Sequence, residues 1–216
     1  MGTGSFRLRA EVSLVPVASA FRRKSAWYLW LPPSGGRIPA DWQAGCDSVW
    51  VAHPYPPHLE GFSYVGAHSY ALVFTTDGRR PTFIDASTVD LVRQQILRAA
   101  QQHAFAVAAY CFMPDHVHLV IDASNDDADC KRFVKTAKQL SGFYFKQARG
   151  RPLWQRYGYD RILRDEIERA LTIGYVIANP VRAGLASHPS EYPYLGSERY
   201  AIDELLQICE YSGALD

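Results

Sequence analysis

The segment AFAVAAYCFMPDHVHLVID, residues 104–122, constrains the fold more than any other part of the chain. Two apolar runs rich in β-branched and aromatic residues flank Met113-Pro114-Asp115, and such runs are typical of strands. Proline and aspartate between them favour a tight turn. The segment therefore predicts two consecutive strands that must bury at least one face in a core.

The remaining pattern alternates helices with strands. The further predicted elements are a strand in HSYALVFTT, a helix in DASTVDLVRQQILRAAQQH with a cap-like Ser87-x-x-Asp90 start, a helix from about Asp127 to Gln147, a bent strand or hairpin in PLWQRYGYDRIL, a helix from Asp165 that closes before Pro180, and a short amphipathic helix in AIDELLQICEYSG. This order predicts a mixed α+β fold with a mostly antiparallel sheet and helices packed on it.

Composition divides the chain into three expected parts. Residues 1–60 hold seven of the 13 prolines and four of the five tryptophans, without clean periodicity, and predict an irregular N-terminal extension. Residues 61–200 carry the regular pattern and predict the main domain. Residues 201–216 predict a C-terminal amphipathic helix.

The cysteine spacing and hydropathy indicate the compartment. The four cysteines are widely spaced and form no CxxC pair, which argues against a zinc ribbon or a disulfide framework. The early stretch VSLVPVASA resembles a secretion signal, but Glu11 and Pro16 interrupt it. No apolar run reaches the roughly 18 residues of a membrane span. A cytoplasmic protein without a membrane partner is expected.

His116 and His118 are polar residues inside an apolar strand. Residues i and i+2 of a strand project from the same face, so both imidazoles point one way while Val117 points to the other face. Two imidazoles at this spacing can reach one metal ion. Each can also be an ordinary hydrogen-bonded histidine, and the pair alone does not decide between these interpretations.

Positive charge is concentrated in one window of a nearly neutral chain. The net charge is +1, yet residues 131–161 contain nine basic residues and one acidic residue, a local charge of +8. At about 100° per residue, Lys131, Lys135 and Lys138 share one helix face. The opposite face is predicted to be apolar and consists of Phe133, Ala137, Leu140 and Tyr144. A lysine row of this kind suits DNA phosphates, although it also suits a plain solvated face.

Several motifs together resemble one known family. MPDHVHLV, then YVIANPVRAGL and YPYLGS, with FVKTAKQLSGFYFKQ and LWQRYGYDRILRD between them, are similar to the REP-associated tyrosine transposases. These belong to the single-tyrosine branch of the HUH nucleases, named after a His-hydrophobe-His signature. The resemblance covers about residues 68–197 and implies a ferredoxin-like or RRM-like HUH nuclease core.

The resemblance also implies the chemistry. It assigns Tyr175 as nucleophile, and His116, His118 and Asn179 as ligands of Mg²⁺ or Mn²⁺, for cleavage and rejoining of DNA through a 5′-phosphotyrosine. Tyr175 and Asn179 are four apart, and such residues are neighbours on a helix surface. Tyr175 is alternatively a core aromatic residue, and Asn179 a helix C-terminal cap.

DNA is the implied partner, in single-stranded, hairpin or palindromic-repeat form, bound by a monomer or a homodimer. The residues predicted to contact it are Lys131, Lys135, Lys138, Arg156, Tyr157 and Arg161. Two other functions remain open. One is a transposase-derived protein that binds DNA without cutting it, and the other is a metal-dependent hydrolase that uses an activated water. A histidine-triad hydrolase would require a third histidine where the chain has Val120.

Overall fold

The computed structural model describes residues 61–215, with only the backbone described for Tyr157 and Tyr159. The predicted N-terminal extension therefore lies outside the described residues. The elements are β1 (Ser69–Thr76), α1 (Ala86–Gln102), β2 (Phe105–Met113), β3 (His116–Ala123), α2 (Cys130–Arg149), β4 (Trp154–Leu163), α3 (Glu166–Arg182), β5 (Leu195–Gly196) and α4 (Ile202–Tyr211), with 3₁₀ turns at Asp77–Arg79 and Pro189–Glu191.

The five strands form one antiparallel sheet in the order β4-β1-β3-β2-β5. The first four strands and two helices follow the order β-α-β-β-α-β, which is the ferredoxin-like arrangement. The predicted α+β class with a mostly antiparallel sheet is confirmed. The two-residue strand β5 is not foreseen by the sequence analysis.

The sheet separates two hydrophobic cores. Helices α1 and α2 cover one face, where Val117, Leu119 and Ile121 of β3 point. Helices α3 and α4 cover the other face, to which Val120 contributes. Because strand residues alternate between faces, His116 and His118 share the face of α3 and α4.

Aspartates begin the three long helices. The carboxylates of Asp85, Asp129 and Asp165 accept hydrogen bonds from backbone amides three residues further on, at 2.9, 3.0 and 2.7 Å. Each carboxylate pairs an amide that has no partner inside its helix, and its charge suits the positive helix end. The expected cap at Ser87-x-x-Asp90 was wrong, because α1 starts from Asp85.

Helix α3 continues past Pro180 to Arg182, so the predicted end before the proline was wrong. The backbone N–H of Ala183 donates to Asn179 O at 3.0 Å and extends the hydrogen-bond ladder beyond the ring. Pro180 itself is buried on the α3–α4 side. Tertiary packing thus maintains a helix that proline alone would end.

Strand β4 is a single strand that pairs with β1 along its length, not a hairpin. The pairing register shifts between Phe74 and Thr76, an irregularity in the ladder of β1 and β4. In α4, Leu205 and Cys209 are buried as the amphipathic pattern predicts, whereas Ile202 is 43% exposed. Within residues 61–215, the helices lack the length and apolar character that crossing a bilayer requires.

Candidate active site

The two strand histidines face each other on the α3 side of the sheet. Their Nε2 atoms lie 2.9 Å apart, and the side chains are almost fully buried. Strand β3 lies between β1 and β2, so its backbone is held by hydrogen bonds on both edges. The pair is therefore fixed by the most constrained strand of the fold.

Asp115 orients the first histidine. Nδ1 of His116 lies 2.5 Å from Oδ1 of Asp115, and Arg79 Nη1 lies 3.3 Å from Oδ2. Burial alone would raise the pKa of Asp115, but the His116 hydrogen bond and the Arg79 charge hold it below its ordinary value. An ionised carboxylate only accepts hydrogen bonds, so the ring donates from Nδ1. The Nε2 lone pair of His116 then faces Nε2 of His118 at 2.9 Å.

The donor atoms fit a divalent ion. Two ligands at right angles on one ion, each at about 2.1 Å, are about 3.0 Å apart, close to the Nε2 separation. Burial and the neighbouring His116 hold the pKa of His118 well below its usual value, although Asp115 acts in the other direction. His118 is thus neutral at pH 7, as a ligand must be.

In the described part of the chain, the histidine pair does not belong to a larger cluster of the usual ligand types. Among residues 61–215, no cluster of three or more His, Cys, Asp and Glu side chains could hold a metal ion. A complete protein site would need another residue type, such as the carboxamide predicted at Asn179.

Tyr175 reaches the histidines from helix α3. Its ring centroid lies 6.4 Å from that of His118, at an interplanar angle of 83°. The Arg182 guanidinium lies 4.9 Å from the centre of the same ring. Burial raises the pKa of Tyr175, and Arg182 acts in the opposite direction. The phenol is therefore protonated at pH 7, with a cation beside it.

Asn179 is held by the helix that carries it. Pro180 has no N–H to donate to the carbonyl of Val176, four residues earlier. Nδ2 of Asn179 lies 3.5 Å from that carbonyl and donates to Tyr175 O at 3.0 Å. Since the two polar atoms of a carboxamide diverge, Oδ1 points away from these carbonyls. These two contacts hold the nitrogen end of the amide against the helix backbone, and Asn179 is not the helix cap, which is Ala183.

The lysine row lies across the sheet from the histidines, because α2 packs on the opposite face. Lys135 is exposed, and Lys131 places Nζ 4.5 Å from the centre of the Tyr64 ring. Lys138 is half-buried, and its ammonium donates to Gln155 O at 2.8 Å. Burial lowers the pKa of Lys138 to about 8. The expectation of three solvent-facing lysines was therefore wrong for Lys138.

The residues of β4 that are predicted to contact DNA also differ in their surroundings. Arg156 is exposed. Nη2 of Arg161 donates to Oε1 of the buried Glu168 at 2.5 Å and so ties β4 to α3. The side chain of Tyr157 lies outside the described residues. A DNA-binding role for these residues stays a prediction.

Sequence reasoning weighed Asp115 as a base for Tyr175 but preferred a turn residue, and it missed Arg182 as part of the site. Asp115 immediately precedes the first histidine, but a turn residue gives no signal of a ring contact. Arg182 follows Tyr175 by seven residues, which is about two helical turns and returns it to the same face. That spacing is a usable signal.

Comparison with known proteins shows what the chain is similar to. Residues 64–161 match the family model described as "Transposase IS200 like". More particularly, the chain is similar to the REP-associated tyrosine transposase of Escherichia coli K12, with 23% identity over 130 residues that cover 56% of this chain and 76% of that protein. A candidate REP-associated tyrosine transposase of Haemophilus influenzae is 27% identical over 118 residues, covering 50% and 67%.

A solved structure confirms the fold. It is that of a REP-associated tyrosine transposase bound to a REP hairpin, with a TM-score of 0.55, 18% identity, and coverage of 65% of this chain and 82% of that chain. The resemblance that the sequence motifs predict, to the REP-associated tyrosine transposases, is therefore confirmed.

Proposed function

We propose that this chain cuts and rejoins single-stranded DNA through a tyrosine on helix α3. One observation carries the proposal: the Tyr175 ring lies against His118, whose Nε2 faces that of His116 at 2.9 Å. The proposed nucleophile would thus act beside two metal-type donors, in a chain whose residues 64–161 match a transposase family model. The two imidazoles are almost fully buried and the Tyr175 side chain is half-buried, which limits competing attack by water.

In the proposed transfer, one bond to phosphorus forms and one bond to phosphorus breaks. The Tyr175 oxygen attacks the phosphorus in line, the bond to the 3′ oxygen breaks, and that oxygen leaves as a hydroxyl after taking a proton. The phenol gives its proton to water in the site. The resulting 5′-phosphotyrosine keeps the energy of the phosphodiester, so a 3′-hydroxyl can reverse the step without ATP.

The chain's own groups would position this reaction. His116, His118 and Oδ1 of Asn179 would hold Mg²⁺ or Mn²⁺. Such an ion would polarise the scissile phosphate and neutralise part of its charge. Arg182 favours the phenolate over the phenol, because its cation lies 4.9 Å from the ring centre. Asp115 keeps the His116 ring in the tautomer that presents Nε2.

The proposed substrate is DNA that forms a hairpin, because the structural relative was solved on a REP hairpin. Phosphates would be bound by exposed cations such as Lys131, Lys135 and Arg156, which makes binding sensitive to salt. The proposed location is the cytoplasm, and the active unit a monomer or a homodimer.

Covalent trapping tests the proposal. A pool of single-stranded hairpin oligonucleotides, labelled at the 3′ end, is incubated with the protein and Mn²⁺ and separated on a denaturing gel. The label must be 3′ because the protein joins the 5′ phosphate of the downstream fragment. We expect a protein-linked label that is lost in Tyr175→Phe and kept in Tyr211→Phe, a change at an exposed tyrosine of α4.

The other outcomes separate the alternatives. A complex retained on native gels without any covalent species would indicate a transposase-derived binding protein. The half-buried phenol and its raised pKa favour that alternative more than any other feature. Cleavage that survives Tyr175→Phe would instead indicate hydrolysis by an activated water.

A further inference from the structure

Two adjacent aromatic side chains of α2 lie exposed on the surface. Phe143 is 56% and Tyr144 37% exposed, and their rings meet edge to face with centroids 5.4 Å apart. The sequence analysis predicted Leu140 and Tyr144 on the apolar face, whereas the structure buries Ser141 and Phe145 there. One exposed apolar residue needs no explanation, but a paired aromatic surface has a cost in water.

The packing that exposes the pair is specific. The indole Nε1 of Trp154 donates to Ser141 Oγ at 2.8 Å, which lets a serine occupy a core position of α2. Gly142 lies against the same indole, since a Cβ there would be 3.6 Å from Trp154 Cδ1. The helix is thus turned so that residues 143 and 144 face outward.

The charged side chains of α2 itself have one sign around Phe143, although Arg132 is paired with Asp129 just before the helix. At about 100° per residue, Arg132, Lys135 and Lys146 lie within about 80° of Phe143 around the helix, over about 21 Å of its length. All three are exposed, and no acidic residue occurs between Cys130 and Tyr159. Aromatic rings among cations are the arrangement that binds unpaired nucleic-acid strands, with bases on the rings and phosphates on the cations.

The aromatic pair also lies at the reactive end of the sheet. Trp154 pairs with Thr76 at the end of β1, and Thr76 N donates to Asp115 O at 2.9 Å. Asp115 immediately precedes His116. A strand leaving the histidines around the β4 edge would therefore arrive at this part of α2.

We propose that Phe143 and Tyr144 form a stacking platform for unpaired bases of the DNA strand, flanked by phosphate-binding Lys135 and Lys146. The inference rests on the proposed function for the identity of the ligand, but it assigns a binding surface on the opposite face of the sheet from the chemistry. A stacked base is held by its π-face, so the platform favours single strands over duplexes and tolerates any sequence.

The test measures binding, not cleavage. Fluorescence anisotropy gives the Kd of the full chain for a labelled hairpin with single-stranded flanks and for a blunt duplex, without added metal. We expect Phe143→Ala to raise the Kd for the flanked hairpin about 5- to 100-fold and to change the duplex Kd less than about twofold. The slope of log Kd against log salt should stay the same, because no charge is removed.

Matched variants make the result specific. Phe143→Leu keeps an apolar side chain without a π-face and should bind as weakly as alanine, whereas Phe143→Trp should bind at least as well as the parent. Tyr211→Ala removes a tyrosine that is 68% exposed on α4, beside Glu210, and should change nothing. Circular dichroism and thermal melting establish that each variant is folded.

Three outcomes would overturn the inference: unchanged flanked-hairpin binding in Phe143→Ala, an equal loss on the duplex, or a dimer of the parent chain that Phe143→Ala converts to monomer. The last would make the pair a contact between copies of the chain. Repeating the binding in Tyr175→Phe separates the two proposals. If no variant forms a covalent adduct but Phe143→Ala still weakens binding, the proposed cleavage fails and the platform stands.

Discussion

Asp115 offers a sharp test of how the histidine pair is held. Its carboxylate accepts from His116 at 2.5 Å, and the two side chains are only 23% and 7% exposed. A charge-assisted hydrogen bond of this kind contributes about 1.5–3 kcal/mol. If that energy is used to orient a metal ligand, its loss weakens metal binding about 10- to 100-fold.

Two substitutions separate the contribution of the Asp115 charge from that of its oxygen acceptor. Asp115→Asn keeps an oxygen acceptor but removes the charge, so the Kd for Mn²⁺ should rise by about 3- to 10-fold, less than the full effect. Asp115→Ala removes both and should reach the full effect. Neither change should unfold the turn, because Thr76 bonds to the main-chain carbonyl of residue 115 and not to its side chain.

Isothermal titration calorimetry with Mn²⁺ at pH 7.5 measures both Kd values. Arg79→Ala is the matched control, because it removes the other partner of Asp115, a contact of 3.3 Å from an arginine that is 61% exposed. An exposed pair is worth little, so the control should stay within about twofold of the parent. If Asp115→Ala binds Mn²⁺ as tightly as the parent, the carboxylate does not orient a ligand and the metal assignment loses its support.

Two further predictions concern stability, both measured by urea unfolding. A Cβ on Gly174 would collide with Ser212 Oγ and lie 2.6 Å from Ser212 Cβ, so Gly174→Ala should lower the free energy of unfolding by about 1–3 kcal/mol, although alanine is the better helix former by about 1 kcal/mol. Ser212→Gly in the same chain should recover most of the loss, and a stabilised single variant would contradict the α3–α4 packing. Burial lowers the pKa of His118 in the folded chain. As the pH falls below about 6.5, His118 therefore takes up a proton in the unfolded chain before it does so in the folded chain. The free energy of unfolding should then drop by up to about 1.4 kcal/mol per pH unit. In EDTA, the free energy of unfolding of His118→Gln should depend less on pH between 7.5 and 5.5 than that of the parent. Equal pH dependence in the two proteins would refute the lowered pKa of His118.

Much of the site geometry could be predicted from local periodicity. The alternation of a strand places His116 and His118 on one face whatever the fold, and the turn before them is determined by Pro114 and Asp115. The spacing of Tyr175 and Asn179 likewise follows from the helix. These features depend on residues close in sequence, and for that reason they could be predicted.

What depends on packing could not be predicted. The sequence shows Lys138 on the basic face of α2 but not that its ammonium reaches the β4 carbonyls, because β4 is distant in sequence. It shows Ser141 as polar, and only the indole of Trp154 makes it a core residue. Because Ser141 occupies a core position of α2, Phe143 faces outward, and so does the surface proposed to bind bases.

Pro180 has a consequence beyond helix geometry. A proline within a helix usually destabilises it, because one carbonyl loses its backbone donor. Here that carbonyl belongs to Val176, and it helps to hold the amide nitrogen of Asn179. The direction of a candidate ligand oxygen therefore depends in part on a residue that need touch neither metal nor DNA. A substitution that repairs the helix would remove one of the two contacts of that nitrogen and leave only the bond to Tyr175 O, so greater stability and a less firmly held side chain would come from the same change.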